Sequence, residues 1–418
     1  MKSRFKSALA SLSCAIVCLA LQGPAWASAP ESISLSLEAA LARAVAAAPE
    51  VTRAASAVRV AQAHRVGAGL VVPQNPRLSV DARPLIRGGS GAPGYGAALD
   101  ALFEVGGAPR ARVREAERLT ALSRAELTTT RALARVRALS SYVRAQIAEL
   151  RIGEAEASLI VAQRVLDATE RRVNAGAASE LEVSSAELQV AELEAERLEF
   201  ERERALSQMD LRDALDLDPV VHLVLTSPVA DPPALGEVSR LVERALTTHP
   251  ELKALQARIE LLRATEDRLS AEVFPRIGVY AAIDAAPLSP TYGVLGLSVE
   301  LPVLQRNQGP RAVSARERES AETELGLEAR LLSRSVNAAL SSYDASRREL
   351  ERLSSRAVPA AERTLAFAEA GFAAGRFDVF RLLAAARDSL RIRAKRIDAI
   401  EAAWLARVEL ERAVGGEL

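Results

Sequence analysis

Three histidines (His64, His222, His249), two cysteines and two methionines are all the chain offers as soft or borderline metal ligands. The histidines lie far apart in sequence, and Cys14 and Cys18 both fall within the first 27 residues. No set of them has metal-ligand spacing. His249 precedes Pro250 and reads as a turn residue. Beyond residue 27 the only lysines are Lys253 and Lys395, neither after a glycine, so no Walker A loop exists. No serine sits in G-x-S-x-G, and no nucleophile pairs with a base. The reading is therefore of a protein that is not an enzyme, with no cofactor and no metal site. Any energy for its work has to come from a partner.

The residues that do recur at fixed spacing are structural. Gly176, Ser179 and Leu181 in RRVNAGAASELEVSSAE are matched by Gly375, Asp378 and Phe380 in EAGFAAGRFDVFRLLAAAR. Glycine tolerates the positive φ that follows a helix end, and Ser or Asp caps the next helix. Each stretch reads as the tip of a helix–turn–helix. Further pairs extend the correspondence: LARAVAAAPEV at 41–51 with VERALTTHPEL at 242–252, PRLSV at 76–80 with PRIGV at 275–279, and PRA at 109–111 with PRA at 310–312. The chain reads as a tandem duplication. Its expected parts are a signal peptide (1–27), a first repeat (28–217), a Pro-rich linker (218–235) with one short strand at 220–225, and a second repeat (236–418).

The signal peptide reading rests on Lys2, Arg4 and Lys6, an apolar run from 8 to 21, and Ala25-Trp26-Ala27 as the cleavage motif. Neither cysteine has a lipoprotein context, so no lipid anchor is expected. Removing three basic residues leaves 51 Lys and Arg against 54 Asp and Glu, which gives no footprint for nucleic acid. After the signal peptide no apolar run is long enough for a membrane helix.

Each repeat is expected to hold a helix (37–67, 237–272), two short strands, a very long helix (110–174, 311–374) and a returning helix. Val136, Leu139, Val143, Ile147 and Leu150, and likewise Val336, Leu340, Tyr343, Leu350 and Leu353, step by three and four. Leu181, Leu188, Ala195 and Met209, offset against Ala191, Leu198 and Ala205, form a narrow coiled-coil seam. Pro359 should bend the second long helix and Gly153 loosen the first. The strands alternate. Leu78, Val80 and Ala82 oppose Arg77, Ser79, Asp81 and Arg83. Ile277, Val279, Ala281 and Ile283 oppose Asp284. Leu295, Leu297, Val299 and Leu301 oppose Glu300, and Leu99 and Phe103 oppose Asp100. Two readings fit. The apolar face packs on helices in a soluble coiled-coil protein, or it faces lipid in a barrel whose lumen takes Asp81, Arg83, Asp100, Asp284 and Glu300. Four strands leave two open edges, so the barrel reading requires several copies.

Two turns discriminate further. FEVGGAPR at 103–110 resembles the strand-to-helix turn, and LPVLQRNQG at 301–309 the L-P-x-x-x-R-N-Q-G turn, of the TolC-type outer-membrane factors in their cation-efflux, CzcC-like branch. Gly106, Gly107, Arg306, Asn307 and Gly309 are the turn residues carried over. The resemblance spans essentially the whole chain after residue 27. It implies a mostly α protein with a small β part: tandem long coiled-coil hairpins plus four strands per protomer, closing as a homotrimer into a 12-strand outer-membrane β-barrel on an α-helical periplasmic tunnel. It further implies a passive exit duct, exported by a cleaved signal peptide. The tips would dock a periplasmic adaptor (membrane fusion protein) that links to an inner-membrane pump of the resistance–nodulation–division type. Metal cations are the implied substrate. Drug or solvent efflux, type I protein secretion, and a periplasmic coiled-coil adaptor are the alternatives. In related channels the tip is also the gate, often lined by aspartate. Here the matching positions hold Glu182 and Arg381, expected to interact across neighbouring hairpins.

Overall fold

A computed structural model describes residues 32–84, 93–235, 240–285 and 290–418. The expected signal peptide and most of the loops at 88–94 and 287–290 lie outside these residues. One order of elements occurs twice. Strand β1 (Ser32–Leu35) leads into helices α1 (Leu37–Ala47) and α2 (Pro49–Ala63), strands β2 (Arg77–Arg83) and β3 (Gly94–Glu104), and helices α3 (Ala108–Asn174) and α4 (Glu180–Leu215). Strand β4 (His222–Leu225) leads into α5 (Leu241–Thr248), α6 (Pro250–Ala271), β5 (Arg276–Ala285) and β6 (Tyr292–Glu300). Then come α7 (Gln308–Arg352), a π-helical turn (Leu353–Ala357), α8 (Val358–Ala373) and α9 (Val379–Val414).

The first helix of each half, expected to be single, is broken in two. Ala48 and His249 each precede a proline and adopt ψ of 142° and 127°. The proline ring crowds the preceding residue out of the helical region, and the next helix starts on the proline itself. Gly153 does not interrupt α3, which runs unbroken for 67 residues, about 100 Å at ~1.5 Å per residue. In α7 the irregularity is the π-helical turn just before Pro359. A proline has no N–H to give the preceding turn, and a widened turn accommodates the missing bond.

The short strand at the linker begins at His222 rather than Val220, and it pairs in parallel with β1, a strand the periodicity did not reveal. This pair sits against a core of Leu35, Tyr142, Leu211, Leu215, Leu223, Leu350 and Ile400. Tyr142 is 1% exposed, and its hydroxyl donates to the Leu35 carbonyl (3.2 Å) and accepts from Ser227 N–H (3.2 Å). A second core gathers Leu252, Val336, Tyr343, Leu410 and Val414. Leu139, Val143 and Ile147 enter the first core, whereas Leu150 is 40% exposed.

The α4 seam read from heptad spacing is not the face that packs within the chain. Ala186, Val190, Leu193 and Leu211 are buried there, while Leu181, Leu188, Leu198 and Met209 are exposed. At ~100° per residue the two sets lie about half a turn apart.

Candidate functional site

The larger sheet has strand order β2-β3-β5-β6, antiparallel throughout, with β2 and β6 as open edges. In an antiparallel pair, directly opposite residues point to the same face. The register therefore sorts the side chains. Asp81 stands opposite Gly96, Gly96 opposite Asp284, Arg77 opposite Asp100, and Arg276 opposite Glu300. One face carries all of Asp81, Arg83, Asp100, Asp284 and Glu300. The other carries Leu78, Val80, Leu99, Val279, Ile283, Leu295, Leu297 and Val299. That apolar face is bare: Val80 and Leu297 are each 74% exposed, and Leu295 is 85% exposed. Among the described residues no helix covers it.

On the polar face Arg83 reaches both Asp81 and Asp284 at 2.8 Å, and Arg276 lies 3.9 Å from Glu300. Small residues make room on this side. A Cβ on Gly96 would meet the Asp81 carboxylate at 2.6 Å, and one on Gly296 would overlap the Tyr280 ring.

Each sheet hands over to a long helix through a residue with positive φ. Gly107 has φ of 82° and Asn307 has φ of 55°. Asn307 adds a hydrogen bond from its amide Nδ2 to the Leu269 carbonyl (3.0 Å). Arg306 folds back, its Nε donating to the Pro302 carbonyl (3.0 Å). Gly106 is fixed by contact, because a Cβ there would overlap Phe274. Gly309 sits on an open side of α7 where a Cβ would touch nothing.

Glu104, which sequence reasoning quoted without singling out, is 5% exposed at the end of β3. It pairs with Arg112 at 2.6 Å and with Arg276 at 3.4 Å. Arg112 also donates to the carbonyls of Ala68 and Leu70. One buried carboxylate thus ties both strand pairs to the start of α3.

At the far end of the helices are the tips. Gly176 (φ 71°) and Gly375 (φ 69°) each follow a helix end, with Ala177 N–H donating to Arg172 O and Arg376 N–H to Gly371 O, both at 2.8 Å. Ser179 caps α4, and its N–H donates to Glu182 Oε1 at 3.3 Å. Asp378 caps α9 by accepting from Arg381 N–H at 3.0 Å. Arg381 lies over the Phe377 ring, 5.2 Å from its centre. Arg172 lies over Phe372 at 4.7 Å and so joins the two tips. Within one chain Glu182 and Arg381 each bond to their own tip.

Residues 241–416 match the family of outer membrane efflux proteins. The chain is 26% identical over 328 residues to the cobalt-zinc-cadmium resistance protein CzcC of Cupriavidus metallidurans, a match covering 75% of each chain. The fold matches CusC, a protein solved in the context of transmembrane channel formation, with a TM-score of 0.75 at 16% identity, over 94% of this chain and 96% of that one. It also matches the outer membrane protein VceC of Vibrio cholerae, with a TM-score of 0.71 at 19% identity, over 91% and 96%. The second half of the chain thus carries the match to the outer membrane efflux proteins, and the fold as a whole is that of solved outer-membrane proteins.

The two hairpins are joined through guanidinium groups. Arg151 on α3 pairs with Glu203 of α4 and with Asp398 (2.9 Å) and Glu401 (2.8 Å) of α9. Burial works to lower its pKa, but the Asp398 hydrogen bond and the charges of Glu401, Glu203 and Asp398 outweigh it and hold the group above its ordinary value. Arg393 of α9 reaches Glu154 on α3 (3.1 Å) and Glu362 on α8 (3.5 Å). Near the top of α9, Glu411 is 3% exposed, with Arg407 at 3.2 Å and Arg135 at 4.0 Å. Burial raises its pKa against the pull of both arginines. His249 is a buried helix cap: its Nδ1 accepts from Glu251 N–H and its Nε2 faces the Arg412 carbonyl, both at 3.3 Å. Among the described residues no three His, Cys, Asp or Glu side chains are grouped to hold a metal ion. Likewise no described helix is long and apolar enough to cross a membrane.

Proposed function

We propose that three copies of this channel close their four-strand sheets into a 12-strand barrel and their helices into a periplasmic tunnel, making the passive exit duct of a tripartite metal-cation efflux system. The observation that carries the reading is the bare apolar sheet face with its two open edges, set on helices about 100 Å long. Lipid does not tolerate unpaired strand edges, so the sheet has to close through other copies. The charged face then lines the lumen. Similarity to a cobalt-zinc-cadmium resistance protein supports metal cations as the cargo. Selection among cations belongs to the pump, since the duct presents carboxylates and guanidinium groups on a wet surface and no ligand cage.

The tips around Gly176, Ser179, Gly375 and Asp378 dock a periplasmic adaptor joined to a proton-driven inner-membrane pump. Glu182 and Arg381 form the gate across neighbouring hairpins, exchanging their partners within the tip for each other when the ring shuts. The test is capture from a photo-crosslinker placed at Ser179→Cys in living cells, paired with growth of a deletion strain on cobalt, zinc and cadmium. The expected result is capture of an adaptor encoded with a cation pump, together with metal sensitivity in the deletion strain and tolerance restored by the gene. Capture of a drug-pump or secretion-system adaptor, with unchanged metal tolerance, overturns the cargo. Capture of cell-wall proteins alone overturns the polarity.

A further inference from the structure

The packing of elements fixes which surfaces of one copy are left for the next. In the upper half α3 packs on α2 and α6, and α6 packs on α7, so the helices follow the order of the strands they join. In the lower half α3 packs along α4 and α9, α9 packs along α8, and α4 touches α9 over a shorter stretch, through Gln189 and Glu192 with Arg387. The lateral order is therefore α4-α3-α9-α8. The outermost helices are α4, below the β2 edge, and α8, below the β6 edge. Closing the sheet by setting the β6 edge of one copy beside the β2 edge of another brings α8 of the first against α4 of the second.

Both outer helices carry an unused seam. On α4 it comprises Leu181, Ser184, Leu188, Ala191, Ala195, Leu198, Ala205 and Met209, opposite the face packed on α3. On α8 it comprises Ala360, Arg363, Phe367 and Ala370, continued by Ala374 just past the helix end, all exposed and spaced three and four apart. Phe367 is its one large apolar residue and is 74% exposed. The heights match. Phe367 stands eight residues before Gly375 and Ser184 eight residues after Gly176, about 12 Å from the tips in each case. The stacking of Arg172 on Phe372 holds those tips level.

We infer that Phe367 of one copy is the knob that enters a hole formed by Leu181, Ser184, Ser185 and Leu188 of α4 in the next copy. Four residues at i, i+3, i+4 and i+7 make such a hole in a coiled coil. Ser184 and Ser185 give it a shallow floor while Leu181 and Leu188, 66% and 56% exposed, give it apolar walls. The inference rests on the proposed assembly of several copies and adds the helix seam that seals the tunnel between them.

Cysteine crosslinking reads this directly, since the described residues contain no cysteine. The double variant Ser184→Cys with Phe367→Cys, mildly oxidised in the full-length protein in detergent, is expected to convert most of the protein into disulfide-linked multi-chain species. The pair Met209→Cys with Phe367→Cys, tens of ångströms out of register, is expected to stay as single chains. Sedimentation of each variant before oxidation reports assembly separately. An assembled but uncrosslinked Ser184 and Phe367 pair overturns the seam and leaves the assembly standing. Crosslinking of Phe367→Cys to itself also overturns the seam, because it places Phe367 at the ring axis. Absence of any multi-chain species, in the variants and the parent alike, overturns both.

Discussion

Glu411 is a carboxylate held where its charge is costly. It is almost fully buried, Arg407 and Arg135 face it, and Glu417 shares Arg135 at 3.2 Å. Burial raises its pKa, so the folded chain binds that proton more tightly than the unfolded chain does. Its contribution to stability is therefore full below the ordinary carboxylate range and is lost as pH rises through that range to the raised value. Replacing it by Gln removes the titration. Urea unfolding of Glu411→Gln from pH 4 to 7 is predicted to show a smaller fall in stability with pH than the parent; an unchanged slope would contradict this. Such residues were not legible in the sequence. In a chain with 26% charged residues one glutamate looks like another, and only the packing of α9 on α3 and α7 separates Glu411 from the solvated ones. The tip glycines were legible, because a positive φ after a helix end selects for residue type.

At the scale of elements, periodicity found the long helices and the four sheet strands, since their patterns extend over many turns or full alternations. It missed the breaks at Ala48 and His249, where one proline overrides a helical pattern on both sides. It also missed β1, whose four residues are too few to show a period and whose pairing with β4 spans the length of a repeat. The α4 seam was visible as a pattern, but its partner was not. A heptad marks a face and leaves its neighbour unnamed. Glu104 is where elements are bolted together, joining β3 to α3 through Arg112 and to β5 through Arg276. Truncating one member of a buried pair costs about 3–5 kcal/mol, and the partly exposed arginines here reduce that to about 2 kcal/mol. Glu104→Ala is predicted to lower thermal stability and to raise protease cleavage near the strand-to-helix turns. Parent-like melting and digestion would show that the carboxylate holds nothing.

At the scale of the molecule, the alternating strands left open whether the apolar face met helices or lipid. The structure leaves Leu78, Val80, Leu295 and Leu297 uncovered by any described helix of the chain and builds its cores elsewhere, among the helices, which supports the lipid-facing reading. A sheet with one bare apolar face, one charged face and two open edges makes physical sense when lipid lies on one side, water on the other and further copies at both ends. The central claim is that this assembly is a passive duct whose tips close it. It is tested most directly by single-channel current across planar bilayers containing the purified protein and its Arg381→Glu variant, with no nucleotide and no partner present. The account predicts discrete ohmic openings for both, with larger or more frequent openings for Arg381→Glu, where like charges replace the proposed pair with Glu182. Identical currents from the two proteins would contradict the gate, and bilayers that stay silent with both would contradict the duct itself.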